Sequence, residues 1–115
     1  MGIVIISTYP DKNSLSKVAN LVVKQKLAAC VNYTEINSIY AWKGKIENTE
    51  EFLAFFKTTI IAKQKLKKEI AKSHPYKVPE IVEIRMDGAN TSYLKWLKDS
   101  TLNRKPKKRN YSAKR

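Results

Sequence analysis

A chain of 115 residues, 43% hydrophobic and carrying a net charge of +13, fits one domain, large enough to bury a real core and small enough that a core shared with a second copy would matter. Its single cysteine, Cys30, excludes an internal disulfide, the apolar run Ile3 to Ile6 is too short for a secretory signal, and no apolar stretch approaches the roughly 20 residues of a membrane span. A soluble, cytoplasmic protein without membrane association is expected.

Ile3 to Thr8 is a β-branched apolar run ended by Tyr9-Pro10-Asp11, the pattern of a central strand and a turn. Leu15, Val18, Ala19, Val22 and Val23 then recur at helical spacing, with Asp11, Asn13 or Ser14 available as N-cap, predicting an amphipathic helix to about Lys26. β-formers from Ala28 to Ile36 and from Ser38 to Trp42 predict a strand interrupted by a kink. Lys43-Gly44-Lys45 supplies the glycine where a hairpin reverses. The returning strand, Ile46 to Thr59, holds Phe52-Leu53-Ala54-Phe55-Phe56, apolar at odd and even positions alike, so both its faces must be covered. Ala62, Leu66 and Ile70 line one side of a second helix that stops before Pro75, with Lys63, Lys65, Lys67, Lys68 and Lys72 on a solvated side. Ile81 to Met86 makes another strand, and Asp87-Gly88-Ala89-Asn90 leads into a last helix containing Tyr93, Leu94, Trp96 and Leu97. Residues 103–115 carry Arg104, Lys105, Lys107, Lys108, Arg109, Lys114 and Arg115 and no acid. They are expected to be a basic, disordered tail beyond a single domain of residues 1–102, serving solubility or contact with nucleic acid.

Two strand-helix-strand units in this order predict a ferredoxin-like α+β sandwich, an antiparallel sheet with both long helices on one face. The double-sided strand needs cover on the other face as well. A second copy of the chain supplies it, which makes a homo-oligomer the expected state.

Between the second helix and the last strand lies His74-Pro75-Tyr76-Lys77-Val78-Pro79-Glu80-Ile81. Each proline fixes its own φ and pushes the residue before it toward an extended conformation, so His74, Tyr76 and Glu80 ride on a stiffened, polar loop of the kind that carries binding sites. His74 is the only histidine, and a histidine-based metal site needs several copies or other ligand types. Three-fold assembly would bring it near Cys30, Glu80 or Glu35 of neighbours; a helix-capping or turn-bonded histidine is the competing reading. Cys30, inside a predicted strand, reads as a buried core thiol. Glu51 and Lys57, six apart on one strand, face the same side about 20 Å from each other, marking either the ends of burial or ligand contacts. Trp42 and Trp96 read as interface or core anchors. The sequence shows no glycine-rich phosphate loop, paired-cysteine motif or nucleophile elbow, and an enzyme is not expected.

Five segments in order resemble the CutA divalent-cation-tolerance family from Ile3 to about Leu97. They are Leu27-Ala28-Ala29-Cys30-Val31-Asn32, the stretch from Ser38 to Glu47, Glu51 with Lys57-Thr58, the proline loop from His74 to Ile81, and Tyr93-Leu94-Lys95-Trp96. The resemblance implies a PII-like homotrimer with clefts between subunits and a link to copper and other divalent metals. Carried over position by position, it places Cys30, Trp42, Glu51, Lys57, Tyr76 and Glu80 as ligand-binding residues and His74 as the metal residue. It implies no required cofactor, with Cu(II) or another divalent cation as the ligand. Ser7 and Ser73 stand where some members have a cysteine and a second histidine, and Lys77 where an acid or polar residue is usual. Hydroxyls replace soft copper ligands poorly, which reduces a three-ligand site to His74. The functional expectation is a divalent cation tolerance protein responding to metal ions. Its rivals are a PII-like small-molecule signalling module without metal and a nucleic-acid binder acting through residues 103–115.

Overall fold

The structure, a computed structural model, describes residues 1–102; the expected basic tail lies outside the described residues. Strand β1 spans Gly2–Tyr9 and helix α1 spans Lys12–Lys24. Asp11 starts the helix by accepting the Ser14 backbone N–H at 2.7 Å, satisfying one of the orphan donors of its first turn. Lys26, at φ 62°, ends it in the left-handed region, which lets the Leu27 N–H reach the Val22 carbonyl at 2.8 Å. Strands β2, Cys30–Trp42, and β3, Lys45–Thr59, form a long hairpin closed by two residues at positive φ, Lys43 at 51° and Gly44 at 79°. Two such residues make the turn whose twist matches that of the strands. Helix α2 spans Lys63–Ser73, β4 spans Val82–Arg85 and α3 spans Thr91–Asp99.

The sheet has the order β2-β3-β1-β4 with every neighbouring pair antiparallel, the ferredoxin-like arrangement expected from two strand-helix-strand units. Register assigns the faces. Ile5 stands opposite Phe56 on one side and Glu83 on the other, so Ile3, Ile5, Ser7 and Tyr9 share a face with Ala54 and Phe56. Leu15 and Val22 of α1 and Leu66 and Ile70 of α2 close over that face and are fully buried. The other face carries Val4, Ile6, Leu53 and Phe55, only half-buried, with Val82 at 43% and Ile84 at 45% exposure. The apolar residues on both sides of β3 are therefore sealed on one side and unsealed on the other.

Four expectations need correction. The kink near Asn37 is absent, because β2 pairs with β3 without a break from Cys30 opposite Lys57 to Trp42 opposite Lys45. Cys30 is not a core thiol: it opens β2 on the unsealed face, half-exposed, its Sγ 3.5 Å from Asn32 Oδ1. That face is not wholly bare, since α3 crosses one end of it with Leu97 buried close to Gly2. The lysines of α2 are not all simply solvated, because Lys63 and Lys67 turn inward to Glu83 at 2.6 and 2.7 Å and hold its carboxyl below the usual range. Among the described residues no helix is long and apolar enough to cross a membrane.

Candidate functional site

The proline loop folds back over the end of β1. His74 follows α2 at φ −70°, ψ 134°, the extended conformation that Pro75 demands of its predecessor. The Tyr76 backbone N–H lies 3.1 Å from His74 Nδ1 and can only donate, so Nδ1 is the acceptor. Nε2 then carries the proton and donates to the Thr8 carbonyl at 2.9 Å, with Ser7 Oγ also within 3.2 Å. The ring stacks on Tyr9, centroids 4.3 Å apart and planes at 26°. Burial lowers the His74 pKa, while the Thr8 carbonyl and Glu51 act in the opposite direction. Burial also pushes the Tyr9 hydroxyl up to about 12.

The second tie runs from the loop to β3. Tyr76 donates to Glu51 Oε2 at 2.5 Å, and Glu51 is 7% exposed. Burial first and the Glu51 carboxylate second raise the Tyr76 pKa, so the phenol stays protonated and remains a donor. Glu51 Oε1 makes no hydrogen bond among the described residues. Between the hairpin and the loop is a cavity of about 730 Å³, lined by Trp42, Tyr40, Glu51, Tyr76, Lys77 and Glu80 together with Thr8, Ile36 and Leu53. The volume falls in the range of small-molecule sites.

Four of the residues singled out from sequence, Trp42, Glu51, Tyr76 and Glu80, thus meet in one cavity, and His74 stands behind it as the anchor of the loop. Cys30 and Lys57 do not line it. They face each other across the opposite end of the β2/β3 ladder, six residues along β3 from Glu51. Trp96 on α3 is 46% exposed and also outside the cavity. Sequence reasoning missed Ser7 and Thr8 as the partners of His74. Ser7 did carry a signal, a hydroxyl at an inward position of an apolar strand, where buried polar groups require a bond.

The arrangement limits the chemistry. A serine beside a histidine suggests a nucleophile and its base, but Nε2 already holds a proton, Nδ1 is occupied, and Ser7 is fully buried. For a cation, both imidazole nitrogens are engaged, leaving Glu51 Oε1 and Glu80 as the donors at the cavity. Among the described residues no three His, Cys, Asp or Glu side chains come together to hold a metal ion. Among the described residues, one copy thus brings fewer than three such side chains to one point.

An antiparallel four-stranded sheet backed by two helices, with a carboxylate-bearing cleft at the edge of the long hairpin, defines a ferredoxin-like α+β protein. The chain belongs to the CutA1 divalent ion tolerance protein family, whose sequence model matches residues 3–100. The divalent-cation tolerance protein CutA of Pyrococcus horikoshii is 41% identical over 99 residues, covering 86% of this chain and 97% of that one. The chloroplastic CutA of Arabidopsis thaliana is 39% identical over 103 residues, 89% of this chain and 57% of that longer protein. The crystal structure of Pyrococcus horikoshii CutA1 superimposes with a TM-score of 0.84 at 40% identity, covering 88% of this chain and 99% of that one. The Archaeoglobus fulgidus protein, described as a periplasmic divalent cation tolerance protein, gives 0.84 at 31% identity, with 87% and 98% covered.

Proposed function

We propose that this protein is a homotrimeric divalent cation tolerance protein of the cytoplasm that responds to metal ions by binding Cu(II) or another divalent cation in a cleft shared between copies. It is a binding module rather than an enzyme. The observation that carries this reading is Glu51, nearly buried in the cavity wall, with one carboxylate oxygen pinned by Tyr76 and the other without a hydrogen bond among the described residues. Family membership supports the link to divalent cations. The unsealed apolar face supports association, and a second copy is what completes a donor set that one chain leaves short. His74 joins the ligands only if the Tyr76 N–H gives up Nδ1; the deprotonated imidazole it would then offer is lost in acid.

Calorimetric titration with Cu(II) tests the reading on wild type, Glu51→Gln and His74→Ala. Weaker binding by Glu51→Gln is expected. Equal isotherms for wild type and His74→Ala remove His74 from the ligands, and equal isotherms for all three end the cation reading. Sedimentation at micromolar concentration tests the assembly, and a stable monomer would refute it.

A second reading has its own support. Trp42, Tyr40, Tyr76, Ile36 and Leu53 give the cavity more aromatic and apolar wall than a bare ion needs, which favours a small organic ligand in a PII-like signalling module. Saturation of binding by such a ligand in the presence of a chelator separates the two.

A further inference from the structure

We infer that the ligand of the cavity beside Glu51 is a primary organic ammonium with an aromatic or apolar body, an inference that rests on reading this cavity as an organic-ligand site. Three charged side chains line it. Lys77 and Glu80 are exposed and opposite in sign, so they offset each other at the mouth. Glu51, at 7% exposure, makes no ion pair among the described residues, which leaves one buried negative charge in the wall. Its Oε2 accepts from the Tyr76 phenol. Its Oε1 has no hydrogen bond among the described residues and is not wholly buried, so this is the oxygen that a molecule entering the cavity meets.

That oxygen sets the terms for a ligand. Any molecule that fills the cavity strips water from Oε1, and a carboxylate left dry and unpaired is costly. A neutral body without a donor leaves it so, and an anion adds repulsion. An ammonium supplies the opposite charge and the N–H together. The Tyr76 oxygen, having given its proton to Glu51, keeps lone pairs and offers a second acceptor beside the first. The type of cation follows as well. A guanidinium fork needs both carboxylate oxygens, and Oε2 is taken; a quaternary ammonium has no N–H for Oε1.

The rest of the wall fits the body of such a molecule. Ile36, Tyr40 and Trp42 project from one face of β2, and Leu53 joins them from β3. Aromatic faces attract cations, and Lys43 Nζ lies 6.0 Å from the Trp42 ring centroid, which shows that the indole is accessible to an ammonium. A hydrated metal ion makes no use of these side chains, whereas an aromatic or apolar group covers them.

The test is calorimetry of the full chain at neutral pH in excess chelator with three probes of one shape: 2-phenylethylammonium, 2-phenylethanol and 3-phenylpropanoate. The ammonium is expected to bind about tenfold more tightly than the alcohol, and the carboxylate more weakly than either. Glu51→Gln should erase the preference for the ammonium over the alcohol. Trp42→Leu, at a position 45% exposed and therefore safe for folding, should weaken the ammonium by about threefold or more. Trp96→Phe, outside the cavity, should change nothing. Alcohol or carboxylate binding as tightly as the ammonium in wild type would overturn the ligand class without recourse to any variant. Equal loss in Trp96→Phe and Trp42→Leu would overturn it by placing the ligand elsewhere. Cu(II) binding without chelator, alongside no response to the three probes, would overturn the ammonium and leave the metal reading standing; silence toward Cu(II) as well would end both.

Discussion

Tyr76→Phe removes one oxygen and keeps the ring, so it isolates the bond that ties the proline loop to β3. That bond is 2.5 Å long and is the only one the Glu51 carboxylate makes among the described residues, at 7% exposure. Hydrogen bonds to charged groups contribute about 1.5–3 kcal/mol, and losing the donor leaves a nearly buried carboxylate unpaired, so a cost of about 2 kcal/mol is expected. Glu51→Gln keeps an acceptor and discards the charge; about 1 kcal/mol is expected for it. The double variant should then lose less than the sum, with a coupling of about 1 kcal/mol. Guanidinium denaturation of all four proteins measures this, at one fixed protein concentration because association shifts apparent stability. With a slope of about 2–4 kcal/mol per molar, Tyr76→Phe lowers the midpoint by about 0.5–1 M. Costs that add within about 0.3 kcal/mol would show that the two groups do not interact and would refute the clasp.

His74 gives a pH prediction: its pKa is lowered from 6.5 in the folded chain, chiefly by burial, so the native state binds fewer protons than the unfolded one. Its contribution is complete above pH 6.5 and is lost as pH falls below that value; denaturation midpoints measured from neutral to acid should show a drop that His74→Gln makes shallower. Phe56→Ala, at a fully buried position of β3, is expected to cost about 3–5 kcal/mol by calorimetry or denaturant. Lys26→Gly should raise the midpoint by about 1 kcal/mol equivalent, because Lys26 sits at φ 62°, where a side chain is strained and glycine is not.

Most of the fold was legible because its signals are periodic and local. The 3.6 spacing of Leu15, Val18 and Val22, the glycine at the hairpin tip and the extended residue ahead of Pro75 each specify their own neighbourhood. The unbroken ladder of β2 was not legible, since Asn37 looks unfavourable alone and is held by its pairing with Glu50 across the hairpin. The site was half legible. Loop stiffness and the resemblance pointed to Tyr76, Glu80 and His74, but the tautomer of His74 depends on a backbone N–H two residues on and a carbonyl 66 residues earlier. The exposure of Cys30 depends on which face β2 turns to the helices, and that is fixed by pairing with Phe56 and Lys57 rather than by its apolar neighbours.

The apolar block of β3 has a consequence for how the hairpin finds its alignment. Residues 52–56 are nonpolar at every position, so a shift by one residue would still offer the helices a hydrophobic strand, and the block itself is nearly silent about which way round it belongs. The flanking charges break that ambiguity. A shifted strand would drive the carboxylate of Glu51 and the ammonium of Lys57 beneath α1 and α2, away from Tyr76 and from water, at the cost of ions without counterparts. Besides the place of Glu51 in the wall of the cleft, the two residues serve as the guide pins of the sheet.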